Sequence, residues 1–434
     1  MKLGILGGGL TGLTLAYYYG EGCEVLEKDD ACGGLCRTVK KDGYSYDYGG
    51  HIIFSRDREV LNFMVDILGD NTVRYRRNNR IWFKGRFVKY PFENDLASLP
   101  KEDIYECLYQ FLNRNYPPPR NFKEWCYYRF GKGIAERYLI PYNEKIWNIA
   151  TDQLGLEWVE GRVPDPPLED VLKSAIGIET EGYTHQLYFY YPRHGGIEAL
   201  IHAIRAKVER VETAFCVRRM TKKGASWIVS DGAREREYER LVSTVPIFDL
   251  LDALERVPEK VSEAARELRY NSLICVMVAA KAGKPSDKFA VYFPQRELTF
   301  HRVCFYDYFG ESCVPPGRSL AVAEITVNKG DGTYTMTDGE LIEHVISGLE
   351  REGFIKGSDV CATDVARRQY AYVVNDLNYS RNLKVIHDFV KETGIILCGR
   401  FSEWKYLNMD ACIRRAMETA LDLVGKTGSN RQEK

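Results

Sequence analysis

The hydrophobic pattern of the chain changes period several times, and each change marks an element. Residues 2–6 form a short unbroken apolar run, which predicts a strand buried on both faces. The run stops at Gly7-Gly8-Gly9-Leu10-Thr11-Gly12. Residues 13–19 then have the length and composition of a helix start, and residues 23–26 those of a second strand. Apolar positions at Val60, Leu61, Met64, Val65 and Leu68 predict an amphipathic helix over 57–68. Alternation over 73–88 predicts a hairpin with Lys84-Gly85-Arg86 at its turn.

Helical spacing dominates 101–156, punctuated by Pro117-Pro118-Pro119 and Gly131-Lys132-Gly133, and predicts a helical module inserted after the first α/β segment. Residues 186–191 predict an aromatic strand, followed by a glycine turn and a helix to Val208. Paired strands are expected over 208–229, and 241–246 as the last strand of the first sheet. Strands at 273–280, 290–294, 301–306 and 320–326 predict a second sheet, floor or wall of a pocket. Residues 395–400 read as a buried strand, and Met409-Asp410 opens a final helix to Leu423.

Composition narrows the class. The 434 residues suggest two or three domains, and a net charge of -1 offers no basic excess for nucleic acid or an anionic membrane. No apolar run reaches the roughly 18 residues of a membrane span. A signal peptide is not expected, since glycines crowd the first apolar run and no cleavage site follows. The 12 cysteines include no C-x-x-C pair, so neither a metal site nor a disulfide framework is expected, and the compartment reads as reducing and cytoplasmic.

Gly7, Gly9 and Gly12 match G-x-G-x-x-G directly after a strand and at a helix start. The first allows the turn, the second lets backbone approach a pyrophosphate, and the third lets helix and strand pack. Glu27 ends the second strand where an acid grips a ribose hydroxyl. Two further glycine turns follow, Gly33-Gly34-Leu35-Cys36-Arg37 and Tyr46-Asp47-Tyr48-Gly49-Gly50-His51. They resemble loops that run along FAD in the flavin amine-oxidase and hydroxylase-like superfamily, with Gly50 and His51 near the isoalloxazine.

Several stretches together carry a more specific resemblance: Gly49 through Ser55, Tyr90-Pro91-Phe92, Pro141-Tyr142-Asn143 with Trp147, Gly161-Arg162-Val163, Tyr292-Phe293-Pro294 with His301-Arg302, and Gly399-Arg400-Phe401 through Tyr406. On these, nearly the whole chain resembles the UDP-galactopyranose mutase family, its eukaryotic-like branch more than its bacterial one. The resemblance implies a Rossmann-type FAD-binding domain with an inserted helical domain and an antiparallel β-sheet substrate domain. The implied boundaries are 1–80, 161–250 and 386–425 for the FAD-binding parts, 81–160 for the helical lid, 251–385 for the β-sheet domain, and 426–434 for a disordered tail.

The resemblance also implies a non-redox reaction on a redox cofactor. Reduced FAD attacks the anomeric carbon of a nucleotide sugar through N5, the diphosphate leaves, and the ring recloses as a furanose. NADPH or NADH would be the reductant, and cell-surface glycan biosynthesis the setting. The implied FAD contacts are Leu10 and Thr11 beside the first glycines, Glu27 with Lys28, Gly34 with Leu35 and Arg37, and Gly49, Gly50 and His51. Val217, Thr244, Gly399 with Arg400, and Asn408 with Met409 complete them. Arg162 and Arg302 would hold the diphosphate, because a guanidinium donates to two phosphate oxygens at once. Tyr292, Tyr372 and Tyr406 would contact phosphate, Tyr90 and Phe92 would sandwich the base, and Asn143 and Trp147 would lie along the sugar. His51, Arg162, Arg302, Tyr372 and Tyr406 form the implied catalytic set.

Three positions depart from the family pattern: Glu93 replaces a glutamine facing uracil, Ala290 a tryptophan and Gln186 an asparagine. A carboxylate only accepts, so guanine suits Glu93 better than uracil, and a reshaped pocket is expected around Ala290 and Gln186. Residues 177–186 and 328–335 are candidate flaps, and a homo-oligomer is compatible with the chain. The competing readings are an amine-oxidase or protoporphyrinogen-oxidase type enzyme, which needs an apolar pocket, and a silent binding module.

Overall fold

The computed structural model describes residues 2–159, 162–163, 165–182, 187–281, 286–310 and 312–429. The first apolar run is the strand Leu3–Leu6, central in a five-stranded sheet. Arg240–Ser243 and Ile396–Leu397 lie on one side of it, Cys23–Leu26 and Val211–Glu212 on the other, all parallel. Parallel pairing with both faces covered explains why these strands read as unbroken apolar runs rather than alternating ones. The strand expected to be last, at 241–246, has a further neighbour, the short Ile396–Leu397.

The second sheet has seven strands, in the order Val360–Val374, Arg269–Lys281, Arg318–Val327, Arg302–Phe305, Ala290–Tyr292, Asn79–Phe83 and Arg86–Lys89. Every pair is antiparallel except Ala290–Tyr292 with Asn79–Phe83, which run parallel. This sheet corrects three expectations. The hairpin is shorter than predicted, turning at Lys84 and Gly85, whose φ of 48° and 73° match the right-handed twist of the flanking strands. Thr72–Arg76 pairs with Tyr188–Pro192 instead. The boundary expected at 80–81 falls inside Asn79–Phe83, which belongs to the sheet.

The helical module consists of Lys101–Leu112, Phe122–Ile134 and Ile140–Trp147, with one π-helical turn over Ala135–Leu139. Gly131 interrupts the helix, as its punctuation predicts: with φ 70° and ψ 163° it kinks Phe122–Ile134, and Gly133 follows two residues on. A side chain there would come within 2.4 Å of Gln110 O and 2.5 Å of Glu106 O, so these glycines let two helices cross closely. The helix Arg58–Leu68 begins at an Asp57 cap that accepts from the Glu59 and Val60 N–H groups. The final helix runs from Met409 to Ser429, past the expected start of a tail, and 430–434 lie outside the described residues. All twelve cysteines are free thiols.

Candidate active site

The carboxyl ends of the parallel strands open onto a cleft of about 730 Å³. Gly7 turns the chain out of the first strand at φ 100°. Gly9 precedes the helix Leu10–Tyr19 without a side-chain cap and faces open space, since a Cβ there would meet nothing within 4 Å. Gly12 does the packing: its Cβ would lie 2.0 Å from Gly7 O. The Glu27 carboxylate accepts the Gly8 N–H at 2.7 Å and the Asp29 N–H at 2.9 Å. The second glycine turn lies alongside the first, Gly33 N–H donating to Gly8 O at 3.0 Å. An uncapped helix start, glycines with no side chain toward the cleft, and a carboxylate at the second strand end fit an elongated dinucleotide-like group.

Most of the expected cofactor residues line this cleft. Gly7, Gly9, Leu10 and Thr11 do so from the first turn, Glu27, Lys28, Gly34 and Leu35 from the next, and His51, Val217, Thr244, Arg400 and Met409 from the remaining wall. Arg37 is instead ion-paired with Asp29 and Asp30. Gly49 and Gly50 back onto Glu324, Arg302 and Cys304, while Gly399 packs against Thr11. Asn408 accepts from Arg162 at 3.3 Å. The sequence reading missed Phe215, Cys216 and the 367–370 segment of the long strand, all on the cleft wall.

Where the cleft meets the second sheet, Arg400 and Arg302 act on His51, and the phenols of Tyr372 and Tyr406 lie about Arg400. Arg302 donates from Nε and Nη2 to Glu324 at 2.9 and 2.6 Å, the two being cross-strand partners. Burial works against the Arg302 charge, but the Glu324 carboxylate overrides it and holds the guanidinium pKa well above its ordinary value. Arg162 lies 3.9 Å from the centre of the Tyr406 ring and donates to the Tyr406 carbonyl. Arg400 lies 4.7 Å from the same ring and 5.5 Å from that of Tyr372, donating to the carbonyls of Leu407 and Ala371. Trp147 meets Tyr372 and Tyr406 edge-on, at 6.0 and 5.2 Å. His51 Nδ1 is buried and has no hydrogen-bond partner among the described residues. Burial first, then the charges of Arg400 and Arg302, pull His51 down to about 3, so its ring is neutral at physiological pH.

Toward the helical module, the Tyr90 and Tyr292 rings are 4.8 Å apart, and Asn79 donates to the Tyr292 hydroxyl at 3.1 Å. Phe92 is fully buried and stacked on Tyr138 at 5.3 Å, which makes it core beneath the site rather than one face of a sandwich. Asn143 is engaged within its own helix, its Nδ2 donating to Leu139 O and its Oδ1 accepting from Trp147 Nε1. Ala290 is buried among core side chains. Gln186, with the end of the 177–186 loop, lies outside the described residues. Two residues went unforeseen here. Tyr142 meets Tyr292 edge-on at 5.5 Å. Glu324 has no exposed surface, and a lone acid in the run Leu320-Ala321-Val322-Ala323-Glu324-Ile325 was its available signal.

Comparison with known proteins bears on the family and the fold. The structure is similar to that of reduced UDP-galactopyranose mutase, with a TM-score of 0.90 and 26% identity over 98% of this chain and 95% of that one. It is similar in fold to a candidate protoporphyrinogen oxidase from Exiguobacterium sp. 255-15 (TM-score 0.77, 16% identity, 97% and 98% covered). It also resembles a fatty acid isomerase from P. acnes that produces CLA (TM-score 0.66, 14% identity, 98% of each covered). An uncharacterised protein of the nifH2 3' region in Methanothermococcus thermolithotrophicus is 46% identical over 83 residues, 18% of this chain and 76% of that one. Among the described residues no helix is long and apolar enough to cross a membrane. The flavin containing amine oxidoreductase model matches residues 10–423, and the chain belongs to that family, with a fold like that of UDP-galactopyranose mutase.

Proposed function

We propose that the protein is a flavin-dependent mutase that interconverts the pyranose and furanose forms of a nucleoside diphosphate hexose, with FAD held in its reduced state. The observation that carries this reading is the grouping of Tyr372 and Tyr406 about Arg400, with Arg400 and Arg302 both acting on His51. An oxidase acting on an apolar substrate has no use for such a cluster; a diphosphate that gathers charge as it leaves requires one.

FAD would lie along the glycine turns, its pyrophosphate at the helix start after Gly9 and its ribose at Glu27. When bound and reduced, it supplies the nucleophilic nitrogen that a covalent exchange at a sugar carbon needs. The chain's residues do the placing. Arg302, fixed by Glu324, meets the diphosphate with its remaining N–H groups, and Tyr372 and Tyr406 add hydroxyl donors. Neutral His51 adds no positive charge and takes no proton near neutral pH, which gives it a positioning role rather than that of general acid.

The test is to reduce the purified protein with dithionite, incubate it with uridine and guanosine diphospho-hexoses, and separate the products by chromatography. A furanose product without net consumption of reductant is expected. Sugar nucleotides left untouched by the reduced protein, together with oxidation of an added amine by the oxidised protein in air, would overturn the proposal.

A further inference from the structure

The residues that lead into the third glycine turn are laced to the long edge strand Val360–Val374 by a ladder of tyrosines. The Tyr44 hydroxyl lies 3.5 Å from the Cys361 thiol, Tyr46 donates to Asp364 at 2.9 Å, and the Arg368 guanidinium lies 3.6 Å from the centre of the Tyr48 ring. The first two rungs close as hydrogen bonds. The third is a cation on an aromatic face, a contact that holds the guanidinium in place without using its N–H groups.

Those donors are nearly all uncommitted. Among the described residues Arg368 forms no ion pair, and its one side-chain hydrogen bond runs from Nη1 to the Arg367 carbonyl at 3.2 Å. Other arginines near the cleft are neutralised: Arg367 is paired with Asp338, and Arg37 with Asp29 and Asp30. Arg368 is nevertheless partly buried and lines the same cleft as the glycine turns. The strand is distorted beside it. Leu273 pairs with Arg368 and Asn271 with Tyr372, so residues 369–371 face Ser272 alone. A bulge of this kind bends a strand and re-aims its side chains, and this one separates Arg368 from Tyr372.

We infer that Arg368 binds an anionic part of the flavin cofactor, either its pyrophosphate or the N1 and C2-carbonyl edge of the reduced ring. Both offer the same chemistry, a delocalised anion whose oxygens accept from a planar fork of donors. Tyr48 is the positioning residue. It orients the guanidinium through the ring face and cancels none of its charge, as the Glu324 carboxylate does for Arg302. The inference needs FAD in the cleft, which family and fold support, and is independent of the reaction proposed above.

The experiment uses the flavin-loaded protein, wild type against Arg368→Met and Arg368→Lys. Two quantities are read: FAD released on dilution and ultrafiltration, in the oxidised and the reduced protein, and the midpoint reduction potential against a reference dye. With the pyrophosphate as partner, Arg368→Met raises the FAD dissociation constant about tenfold or more in both oxidation states and leaves the potential in place. With the reduced ring as partner, oxidised FAD is held as in wild type, while the reduced form loses about tenfold in relative affinity, lowering the potential by about 30 mV for a two-electron couple. Either result supports the inference. Arg368→Lys keeps the charge without the planar fork and should recover part of the loss. Tyr48→Leu, with Arg368 intact, should reproduce part of the Arg368→Met effect, and Tyr48→Phe none of it. Should Arg368→Met not fold, Arg368→Lys and Tyr48→Leu give the same two readings. Variants that release FAD as wild type does in both states, at an unshifted potential, overturn the inference, whether or not their melting temperatures fall. A chain that takes up no FAD at all overturns it together with the cofactor reading.

Discussion

Replacing Glu324 separates the support of the proposed anion site from the site itself. Glu324 has no exposed surface, accepts from Arg302 at 2.9 and 2.6 Å, and receives the Cys304 thiol at 3.3 Å. Removing one partner of such a pair leaves a buried charge without its counter-ion, at a cost of about 3–5 kcal/mol. In Glu324→Gln one oxygen still accepts while the amide confronts a guanidinium N–H, so a loss of about 3 kcal/mol is expected. At about 2 °C per kcal/mol for a chain of this size, the melting temperature should drop by about 6 °C. The double variant Arg302→Met with Glu324→Leu removes both charges and should recover most of that loss, because buried pairs exchange for apolar residues at little net cost. Turnover should part company with stability. Glu324→Gln keeps the cation but loosens it, lowering kcat/KM about tenfold, whereas the double variant loses the diphosphate contact and falls about a hundredfold or more. Thermal melts and initial rates on reduced protein decide both. A Glu324→Gln protein that melts with wild type, or a double variant as active as that single one, would refute the reasoning.

Three further expectations follow from particular groups. Gly12→Ala places a methyl 2.0 Å from Gly7 O, so helix and strand must separate, and the purified variant should lack the visible flavin absorbance of wild type. Asp47 accepts from Thr38, Tyr191 and Ile197, yet burial raises its carboxyl from 3.8 to about 7. Because folding favours the protonated form, its stabilising contribution is complete below about pH 3.8 and is lost as pH rises through about 7. Asp47→Asn should therefore gain on wild type in melts as pH rises across that window; a constant difference would contradict this. For His51, held down to about 3, kcat/KM should show no inflection near the ordinary histidine value of 6.5, and one that vanishes in His51→Asn would contradict its neutral role.

Local signals carried the start of the first sheet and the glycine-lined end of the cleft into view, because each is built from residues close in sequence. The G-x-G-x-x-G turn, the strand before it and Glu27 lie within a single unit, and their roles depend on backbone conformation that glycine announces. The long strand Val360–Val374 was overlooked for a physical reason. At the sheet edge it carries Asp364, Arg367, Arg368 and Gln369 among its apolar residues, so neither a clean alternation nor an apolar run marks it. Thr72–Arg76 misled for the opposite reason: it alternates as a hairpin strand should, but its partner Tyr188–Pro192 lies more than a hundred positions away. The Arg302–Glu324 pair is likewise a product of register between strands, which a single segment does not encode.

The same pair shows why a site rich in cations need not collapse before ligand arrives. Arg302 is tied to Glu324 through Nε and Nη2, and Arg400 to the carbonyls of Leu407 and Ala371 through Nη1 and Nη2. A guanidinium has five N–H donors, so each side chain is fixed by part of its fork while the rest stays available. Among the described residues the buried Arg400 Nε meets no hydrogen-bond partner. An arriving diphosphate would therefore find donors already oriented and would have no protein hydrogen bond to break. In such a site most of the electrostatic reorganisation is completed on folding, the condition under which fixed dipoles and charges lower a barrier most. The same logic assigns a cost to the chain: the carboxylate that orients Arg302 also cancels part of its charge. Net attraction for the anion then depends on Arg400, and Arg400→Met should raise KM more than it lowers kcat, whereas Arg302→Met should lower both kcat and kcat/KM.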